Sequence, residues 1–227
     1  MCGRYTQTHE LAVLEEYFGF SAPETEISPR YNIAPGQYAP VIRLDHEGQR
    51  KLELMRWGLV PFWAKDESIG SRLINARSET LSEKPSFKQA LKRRRCLILA
   101  DGFYEWAKVP GGKQPYYLKL KDSAPFAFAG LYERWDKGEG ETGTLKNPLY
   151  TFTIVTTTPN AVVEPVHERM PVMLRREDEA RWLNPEAELD ELLALLKPYA
   201  AEMMQSYPVS KQVNRPDNDE PGLIQPQ

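Results

Sequence analysis

The chain has 227 residues, of which 41% are hydrophobic and 27% are charged, and its net charge is −3. This is the composition of a soluble globular protein, and it excludes a global basic field, so that any contact with nucleic acid has to be a local patch. Two cysteines, Cys2 and Cys96, and three histidines argue against a disulfide framework or a metal-ligand cluster, and we predict no cofactor. No apolar run is long enough for a membrane span and no signal pattern is present, which predicts a cytoplasmic protein.

The first elements alternate between helix and strand. Apolar residues at helical spacing predict a helix from residue 8 that ends at Gly19. A proline-rich connector at 23–40 follows, and residues 41–44 and 52–59 read as a strand pair around an Asp-His-Glu-Gly turn. Residues 73–77 show no regular pattern. Ser86 and Gln89 have the spacing of a capping box, which predicts a helix to about Arg94.

Strands dominate the centre of the chain. The apolar run at 96–100 predicts a strand buried on both faces. Further strands are predicted at 115–120, 126–133, 152–158 and 172–174, with a flexible Gly-, Glu- and Lys-rich surface loop at 137–147. Two helices are expected at 178–183 and 188–197, the second ended by Pro198, before a tail at 207–227 with little periodicity. Nothing separates two cores, so we predict one α+β domain over residues 1–227.

Cys2 stands out because it follows the initiator methionine. Once Met1 is removed, Cys2 carries an α-amine and a thiol on adjacent carbons. Such a 1,2-aminothiol traps an aldehyde in a five-membered ring, or acts as an N-terminal nucleophile. The alternative is that cysteine is an arbitrary second residue.

Three other polar residues lie in apolar or turn settings. Glu105 stands between Tyr104 and Trp106 just after the buried strand, His167 is the only histidine outside the N-terminal quarter, and Asn75 ends a short apolar pair. Taken singly, each has a structural explanation: an outward-facing strand carboxylate, a structural histidine, and a turn residue that bonds its own backbone.

Together with their surrounding motifs, these residues resemble the SRAP family (SOS response-associated peptidase). The resemblance covers nearly the whole chain and depends on the order and spacing of several motifs. The matching stretches are Met-Cys-Gly-Arg-Tyr at 1–5, residues 30–36, Arg-Trp-Gly-Leu-Val-Pro at 56–61, residues 73–80, Ala-Asp-Gly-Phe-Tyr-Glu-Trp at 100–106, His-Glu-Arg-Met-Pro at 167–171, and the tail segments 208–210, 213–214 and 223–226.

The resemblance implies a central, mostly antiparallel β-sheet or barrel-like core flanked by helices. It implies a sensor of abasic sites in single-stranded DNA during the DNA damage response. Our default expectation is a monomer that associates with the nucleoid when bound to DNA, and the replication machinery is left open as a further partner. Met1 is expected to be lost by autopeptidase activity or to an aminopeptidase. Cys2 is then expected to form a thiazolidine crosslink with the lesion, an activity of lyase type. Asn75, Glu105 and His167 are expected to complete the catalytic site.

This chemistry is consistent with the residues. An abasic deoxyribose is in equilibrium with an open-chain aldehyde, and an α-amine with a pKa of roughly 7.7–8.0 is on the order of a tenth free base at pH 7. The amine adds to the aldehyde to form an imine, and the thiol closes the ring. We predict that His167 donates a proton to the sugar ring oxygen, that Glu105 accepts one, and that Asn75 holds the N-terminus or the aldehyde oxygen by hydrogen bonds.

We expect the DNA contacts to be local. Arg4, Arg77 and Arg169 adjoin the predicted site and would form a phosphate clamp, unless Arg4 and Arg77 pair with carboxylates. Phe62 and Trp63, in a proline-flanked loop, would stack on bases, unless they are buried in the core. Pro35 and Thr156 are weaker candidates for lining the DNA cleft. The basic run at 92–95 reads as a solvated helix end. Some family members carry a further basic residue after Arg77; in this chain either Lys84 takes its place or the contact is absent.

Other classes of function stay open at this stage. Glutamine amidotransferase domains, which are N-terminal-nucleophile hydrolases, also begin Met-Cys-Gly, although no glutamine-binding pattern is recognisable in this chain. A non-covalent single-strand binder would use the same aromatic residues without capturing an aldehyde. A peptidase that acts on other proteins is the third alternative.

Overall fold

The computed structural model describes residues 2–20, 26–136 and 148–227. Its strands are β1 (Tyr5–Gln7), β2 (Arg30–Ile33), β3 (Tyr38–Leu44), β4 (Arg50–Trp57), β5 (Asn75–Arg77), β6 (Arg95–Ala100), β7 (Gly102–Val109), β8 (Gly112–Leu120), β9 (Phe126–Trp135), β10 (Leu149–Thr157), β11 (Met170–Pro171), β12 (Met173–Leu174) and β13 (Met204–Pro208). Its α-helices are α1 (Leu11–Phe18), α2 (Pro85–Arg93), α3 (Glu179–Leu183) and α4 (Leu189–Ala194). Met1, the first part of the predicted connector and the predicted loop at 137–147 lie outside the described residues.

Five strands close into a barrel, in the order β4, β3, β6, β9 and β10. The pairs β4–β3, β3–β6, β6–β9 and β9–β10 are antiparallel, and the barrel is closed by the parallel pair β10–β4. The short strands β5 and β11 pair with the last residues of β10, and β12 pairs with the first residues of β9. The expected α+β fold with a mostly antiparallel, barrel-like core flanked by helices is therefore confirmed.

A second sheet of five antiparallel strands lies beside the barrel, in the order β13, β8, β7, β1 and β2. Strand β1, which lies between β7 and the edge strand β2, has only three residues, yet it pairs with both. Tyr5 lies opposite Ile33 on one side and Phe103 on the other. This sheet carries the chain's first residues into the interior.

The apolar side chains form three cores. Successive residues of β6 belong to different cores, as expected of a strand buried on both faces. The helix core, between the barrel and the four helices, includes Leu14, Phe18, Phe87, Leu97, Leu99 and Trp182. The central core, inside the barrel and against the second sheet, includes Cys2, Tyr5, Trp57, Cys96, Ile98, Phe103 and Phe152. The tail core, on the outer face of the second sheet, includes Tyr104, Tyr117, Val209, Val213 and Leu223.

Most predicted elements are present, with small differences at their ends. Helix α1 ends at Gly19, whose φ of 64° is the left-handed conformation that glycine adopts without strain. Helix α4 ends at Ala194, three residues earlier than predicted. No helix within the described ranges is long and apolar enough to span a membrane.

Three sequence predictions of local structure are wrong. The capping box does not form, because Pro85 occupies the first turn of α2, Lys84 is the N-cap and Ser86 lies inside the helix. Residues 75–77 are not irregular but form β5, which pairs with β10. In the basic run, Arg95 is buried and donates to the backbone carbonyls of Trp182, Leu91, Lys92 and Asn184, so it is not a solvated residue.

Candidate active site

Strand alternation brings Glu105 to the face of the second sheet that carries Cys2. Phe103, two residues earlier on β7, packs in the central core with Cys2, whereas Tyr104 packs in the tail core on the opposite face. Because side chains alternate along a strand, Glu105 shares the face of Phe103. The electrostatic effect of Glu105 on the Cys2 thiol agrees with this placement.

Cys2 is completely buried. Burial raises the pKa of its thiol well above the ordinary value, and the negative charge of Glu105 raises that pKa further. The Arg4 backbone N–H, a hydrogen-bond donor to the sulfur, offsets part of this effect. The thiol is therefore protonated at neutral pH, and it needs a neighbouring base to become a nucleophile.

Glu105 is suited to that task. It is 2% exposed, and burial raises the pKa of its carboxyl to about 7, against an opposing effect of the positive charge of Lys113. A carboxyl with this pKa is partly protonated and partly ionised at neutral pH, so it can both accept and donate a proton.

His167 lies beside this carboxyl. Its Nε2 is 3.9 Å from Glu105 Oε2. Burial lowers the pKa of the imidazole, so the neutral form prevails at pH 7. Nδ1 lies 3.0 Å from the Arg169 backbone N and 3.2 Å from the Arg169 carbonyl oxygen. In the tautomer in which Nδ1 accepts from the backbone N–H, the ring proton resides on Nε2, and the histidine presents an N–H donor on the side that faces Glu105.

Asn75 reaches the same side through β5. It pairs in parallel with Ile154 of β10, whose side chain packs in the central core. Both polar atoms of the Asn75 amide are buried, and neither has a hydrogen-bond partner among the described residues. An unsatisfied buried amide costs about 1–3 kcal/mol, so this side chain is a candidate for holding a ligand.

The three arginines of the expected clamp have different surroundings. Arg77 is exposed and makes no ion pair or hydrogen bond with a described residue. The guanidinium of Arg169 binds both carboxylate oxygens of Glu79, at 2.5 and 2.9 Å, and lowers the pKa of that carboxyl. The guanidinium of Arg4 is bound on the tail side of the sheet. Only Arg77 of the three therefore has a side chain open to a phosphate.

The other residues expected at the DNA lie in different places. Phe62 and Trp63 are 56% and 48% exposed, in the loop after β4. Pro35 lines a cleft of about 540 Å³ between the turn after β2 and residues 66–71. Thr156 is buried, and its carbonyl accepts a hydrogen bond from Arg169 at 2.8 Å. Lys84, at the start of α2, is exposed.

Lys113 was missed by the sequence analysis. Its charge lowers the pKa values of both Glu105 and His167. It lies in the β7–β8 hairpin, whose register puts Glu105 opposite Tyr116 and Lys108 opposite Lys113. The Pro-Gly-Gly sequence at 110–112 was a usable signal, because such a turn fixes the register of the strands on either side.

Comparisons with known proteins agree on one family. The family model for SOS response associated peptidase (SRAP) matches residues 1–216. The abasic site processing protein YoqW of Bacillus subtilis (strain 168) is 51% identical over 229 residues, which cover 99% of both chains. The abasic site processing protein HMCES of Gallus gallus is 34% identical over 235 residues, which cover 89% of this chain and 68% of that protein. A crystal structure of a protein from Bacteroides thetaiotaomicron has a TM-score of 0.88 at 28% identity and full coverage of both chains.

Proposed function

The chain belongs to the SOS response associated peptidase (SRAP) family, and we propose that it processes abasic sites in single-stranded DNA by capturing them covalently on Cys2. The observation that carries the proposal is the grouping of a buried thiol with a carboxyl of pKa about 7 and a neutral imidazole. The names of the relatives, abasic site processing proteins, support abasic sites as the substrate.

The first step is the removal of Met1. In our proposal the Cys2 thiol gives its proton to ionised Glu105 and attacks the Met1 carbonyl carbon. The peptide bond breaks as the nitrogen takes up a proton, and a thioester forms. Water then hydrolyses the thioester, which releases methionine and leaves Cys2 with a free thiol and a free α-amine.

Capture of the lesion uses both groups. The α-amine adds to the aldehyde carbon, and loss of water gives an imine. The thiol sulfur then bonds to the imine carbon, its proton passes to the imine nitrogen, and the thiazolidine ring is complete. Glu105 carries protons between these groups. β-Elimination from the imine would instead break the DNA strand, so rapid closure by the thiol protects the strand.

His167 and Asn75 act on the sugar. The Nε2–H of His167 donates to the ring oxygen and opens the hemiacetal, which exposes the aldehyde. The Asn75 amide cannot titrate, so it orients the α-amine or the aldehyde-derived oxygen by hydrogen bonds that its buried atoms otherwise lack.

DNA is held next to this site by few contacts. The exposed Arg77 follows Asn75 by two residues on β5, so both side chains lie on the same face of the strand. We assign it to a phosphate near the lesion. The exposed rings of Phe62 and Trp63 are assigned to base stacking, which tolerates any sequence.

Intact-mass measurement with and without an abasic single-stranded oligonucleotide tests this proposal. We expect the protein without Met1, and an adduct whose mass is that of protein plus oligonucleotide minus one water. Cys2→Ala should form no adduct, whereas Cys96→Ala, which changes the other buried cysteine, should still form one.

The chemistry of the substrate gives a second control. An abasic site reduced to the alcohol has no aldehyde and should not react. An unmodified protein after incubation with the intact lesion, or an adduct with Cys2→Ala, would refute the assignment. Release of ammonia from glutamine would instead favour an amidotransferase.

A further inference from the structure

The C-terminal tail contacts both strands that carry the site. Val213 and Asn214 lie in a short 3-10 turn on the outer face of the second sheet. On this face they reach Arg4, two residues after Cys2, and Trp106, one residue after Glu105. A single short segment thus touches the backbone neighbours of both reactive groups from the side opposite the site.

The contact with Arg4 uses most of its guanidinium. Nη1 donates to Asn32 Oδ1 at 2.8 Å and to the Val213 carbonyl at 2.7 Å, and Nη2 donates to the Asn214 carbonyl at 3.2 Å. The Arg4 carbonyl accepts a hydrogen bond from the Tyr104 N–H at 3.0 Å. Arg4 therefore joins the start of β1 to both the tail and β7.

The contact with Trp106 acts on the strand of Glu105. The indole Nε1–H donates to Asn214 Oδ1 at 2.7 Å. Since neighbouring side chains of a strand project to opposite faces, Trp106 reaches the tail while Glu105 faces Cys2.

The tail segment is itself held firmly. The buried Asn32 amide donates to the carbonyls of Val213, Arg215 and Asn218, at 3.3, 3.0 and 2.7 Å. Asp219 accepts hydrogen bonds from the backbone N–H groups of Tyr31 and Asn32 at 2.5 and 2.9 Å, and from Arg30. An anchored segment can transmit a restraint, which a loose one cannot.

We propose that Arg4 and Asn214 are positioning residues that fix the Cys2 thiol against the Glu105 carboxyl from the outer face of the sheet, and that Arg4 does not bind DNA phosphate. This inference rests on the proposed capture chemistry. A small displacement of reacting groups slows a reaction strongly, so we expect loss of either contact to slow adduct formation by about tenfold at saturating DNA.

Two substitutions of Arg4 separate the effect of its charge from the effect of its hydrogen-bonding geometry. Arg4→Lys keeps the positive charge but loses the planar fork that reaches three acceptors, whereas Arg4→Gln removes the charge. A positioning role predicts that both variants crosslink slowly at saturation and that neither changes the salt dependence of binding to undamaged single strands. The exposed Arg215→Lys, in the same tail, is the matched control and should behave as wild type.

The opposite outcomes are equally clear. A wild-type rate for Arg4→Lys overturns the proposal, and so does a flatter salt slope for Arg4→Gln, of the kind expected for Arg77→Ala. If the Arg4 variants do not fold, Asn214→Ala decides, because Asn214 is exposed and, among the described residues, its side chain hydrogen-bonds only to Trp106. A wild-type saturating rate for Asn214→Ala would then refute the inference.

A measurement without DNA separates this inference from the proposed function. Hydrogen exchange at the Tyr104 amide should be faster in Arg4→Lys than in wild type, because that amide bonds to the Arg4 carbonyl. If wild-type protein forms no adduct, the capture chemistry fails, whatever the exchange rate. If wild type reacts and Tyr104 exchanges equally in both proteins, only the positioning role fails.

Discussion

Two buried carboxyls on or next to the second sheet, those of Asp101 and Glu105, have pKa values that are shifted in opposite directions. Asp101 is 5% exposed and Glu105 is 2% exposed. Burial raises the pKa of Asp101, but hydrogen bonds from His9, Thr6 and Thr8 outweigh it and leave the pKa below the ordinary value. Burial raises the pKa of Glu105 to about 7. Burial alone therefore does not decide the charge of a carboxyl; the donors around it do.

The same contrast holds for the two faces of the sheet. On the outer face, Thr6 Oγ1 bonds to both Asp101 and the Tyr117 hydroxyl, and the Asn32 amide has several partners. On the inner side, the Tyr5 hydroxyl of this sheet and the Asn75 amide of β5, on the barrel, are buried without a hydrogen-bond partner among the described residues. The well-bonded face stabilises the fold, while the poorly bonded face leaves polar atoms available to a substrate.

The variant that we expect to have the largest effect on the reaction is Glu105→Gln. The amide has the shape of the carboxyl but cannot carry protons, so we expect adduct formation to slow by about 10²-fold or more. In wild type, the rate should rise with pH through about 7 as Glu105 ionises. This part of the rise should vanish in the variant, which keeps only the rise that follows deprotonation of the α-amine, with its pKa of roughly 7.7–8.0. Single-turnover crosslinking on denaturing gels between pH 5.5 and 8.5 measures both effects.

The matched control for this variant is Glu53→Gln. Glu53 pairs with Arg43 and Lys51 on the barrel, away from Cys2, so its loss should leave the rate and the pH profile unchanged. A pH profile that is the same in Glu105→Gln as in wild type would assign the titration to another group. The N-terminal amine, Cys2, His167 and Lys113 are titratable groups whose charges act on this carboxyl or that lie beside it.

Stability should change in opposite directions at the two carboxyls. A raised folded pKa means that Glu105 destabilises the fold once pH rises from about 4.5 through 7. Glu105→Gln should therefore be more stable than wild type at pH 8, by up to about 3 kcal/mol. Urea denaturation at pH 8 measures the free energy of unfolding.

For Asp101→Asn we expect the opposite change in the free energy of unfolding. A lowered folded pKa contributes stability above the unfolded pKa, and this stability is lost as pH falls through the lower folded value. The variant should be destabilised at pH 8 by about 2 kcal/mol, since it replaces a hydrogen-bonded charge. Equal and like-signed changes in the two variants would show that burial, not donor number, controls both groups.

Arg77→Ala is the mildest test. It should weaken binding to undamaged single strands and reduce the slope of log K against log salt by up to about 0.7, the value for one phosphate contact. Fluorescence anisotropy from 50 to 300 mM salt measures the slope. Exposed Arg93, on α2, gives a control substitution far from β5; a slope that changes equally in both variants would remove Arg77 from the interface.

Strong local patterns predicted much of the fold. The apolar run at 96–100 became β6 with every residue buried, and the hairpin of β3 and β4 formed around its expected turn. These elements carry their signal in a few neighbouring residues, where side-chain alternation and turn chemistry operate.

Long-range contacts could not be predicted in this way. Strand β1 has three residues, too few to show a period, and its partners lie elsewhere in the chain. Arg95 belongs to a basic run that indicates solvent, yet the register of β6 directs it inward. The tail contributes backbone carbonyls that accept hydrogen bonds from Arg4 and Asn32. Every residue type has such a carbonyl, so these contacts produce no recognisable sequence pattern. Asn75, Glu105 and His167 were selected by family resemblance, and their roles stay predictions.

The position of β1 also fixes an order of events during synthesis. This strand is made first, but its neighbour β7 begins at residue 102 and its anchor in the tail at residue 213. At 5–20 residues per second, the tail leaves the ribosome on the order of ten seconds or more after β1. Throughout that interval the first residues have no folded pocket to enter. The self-cleavage that we propose therefore has to await the complete chain, and any aminopeptidase that meets the growing chain would act on Met1 first.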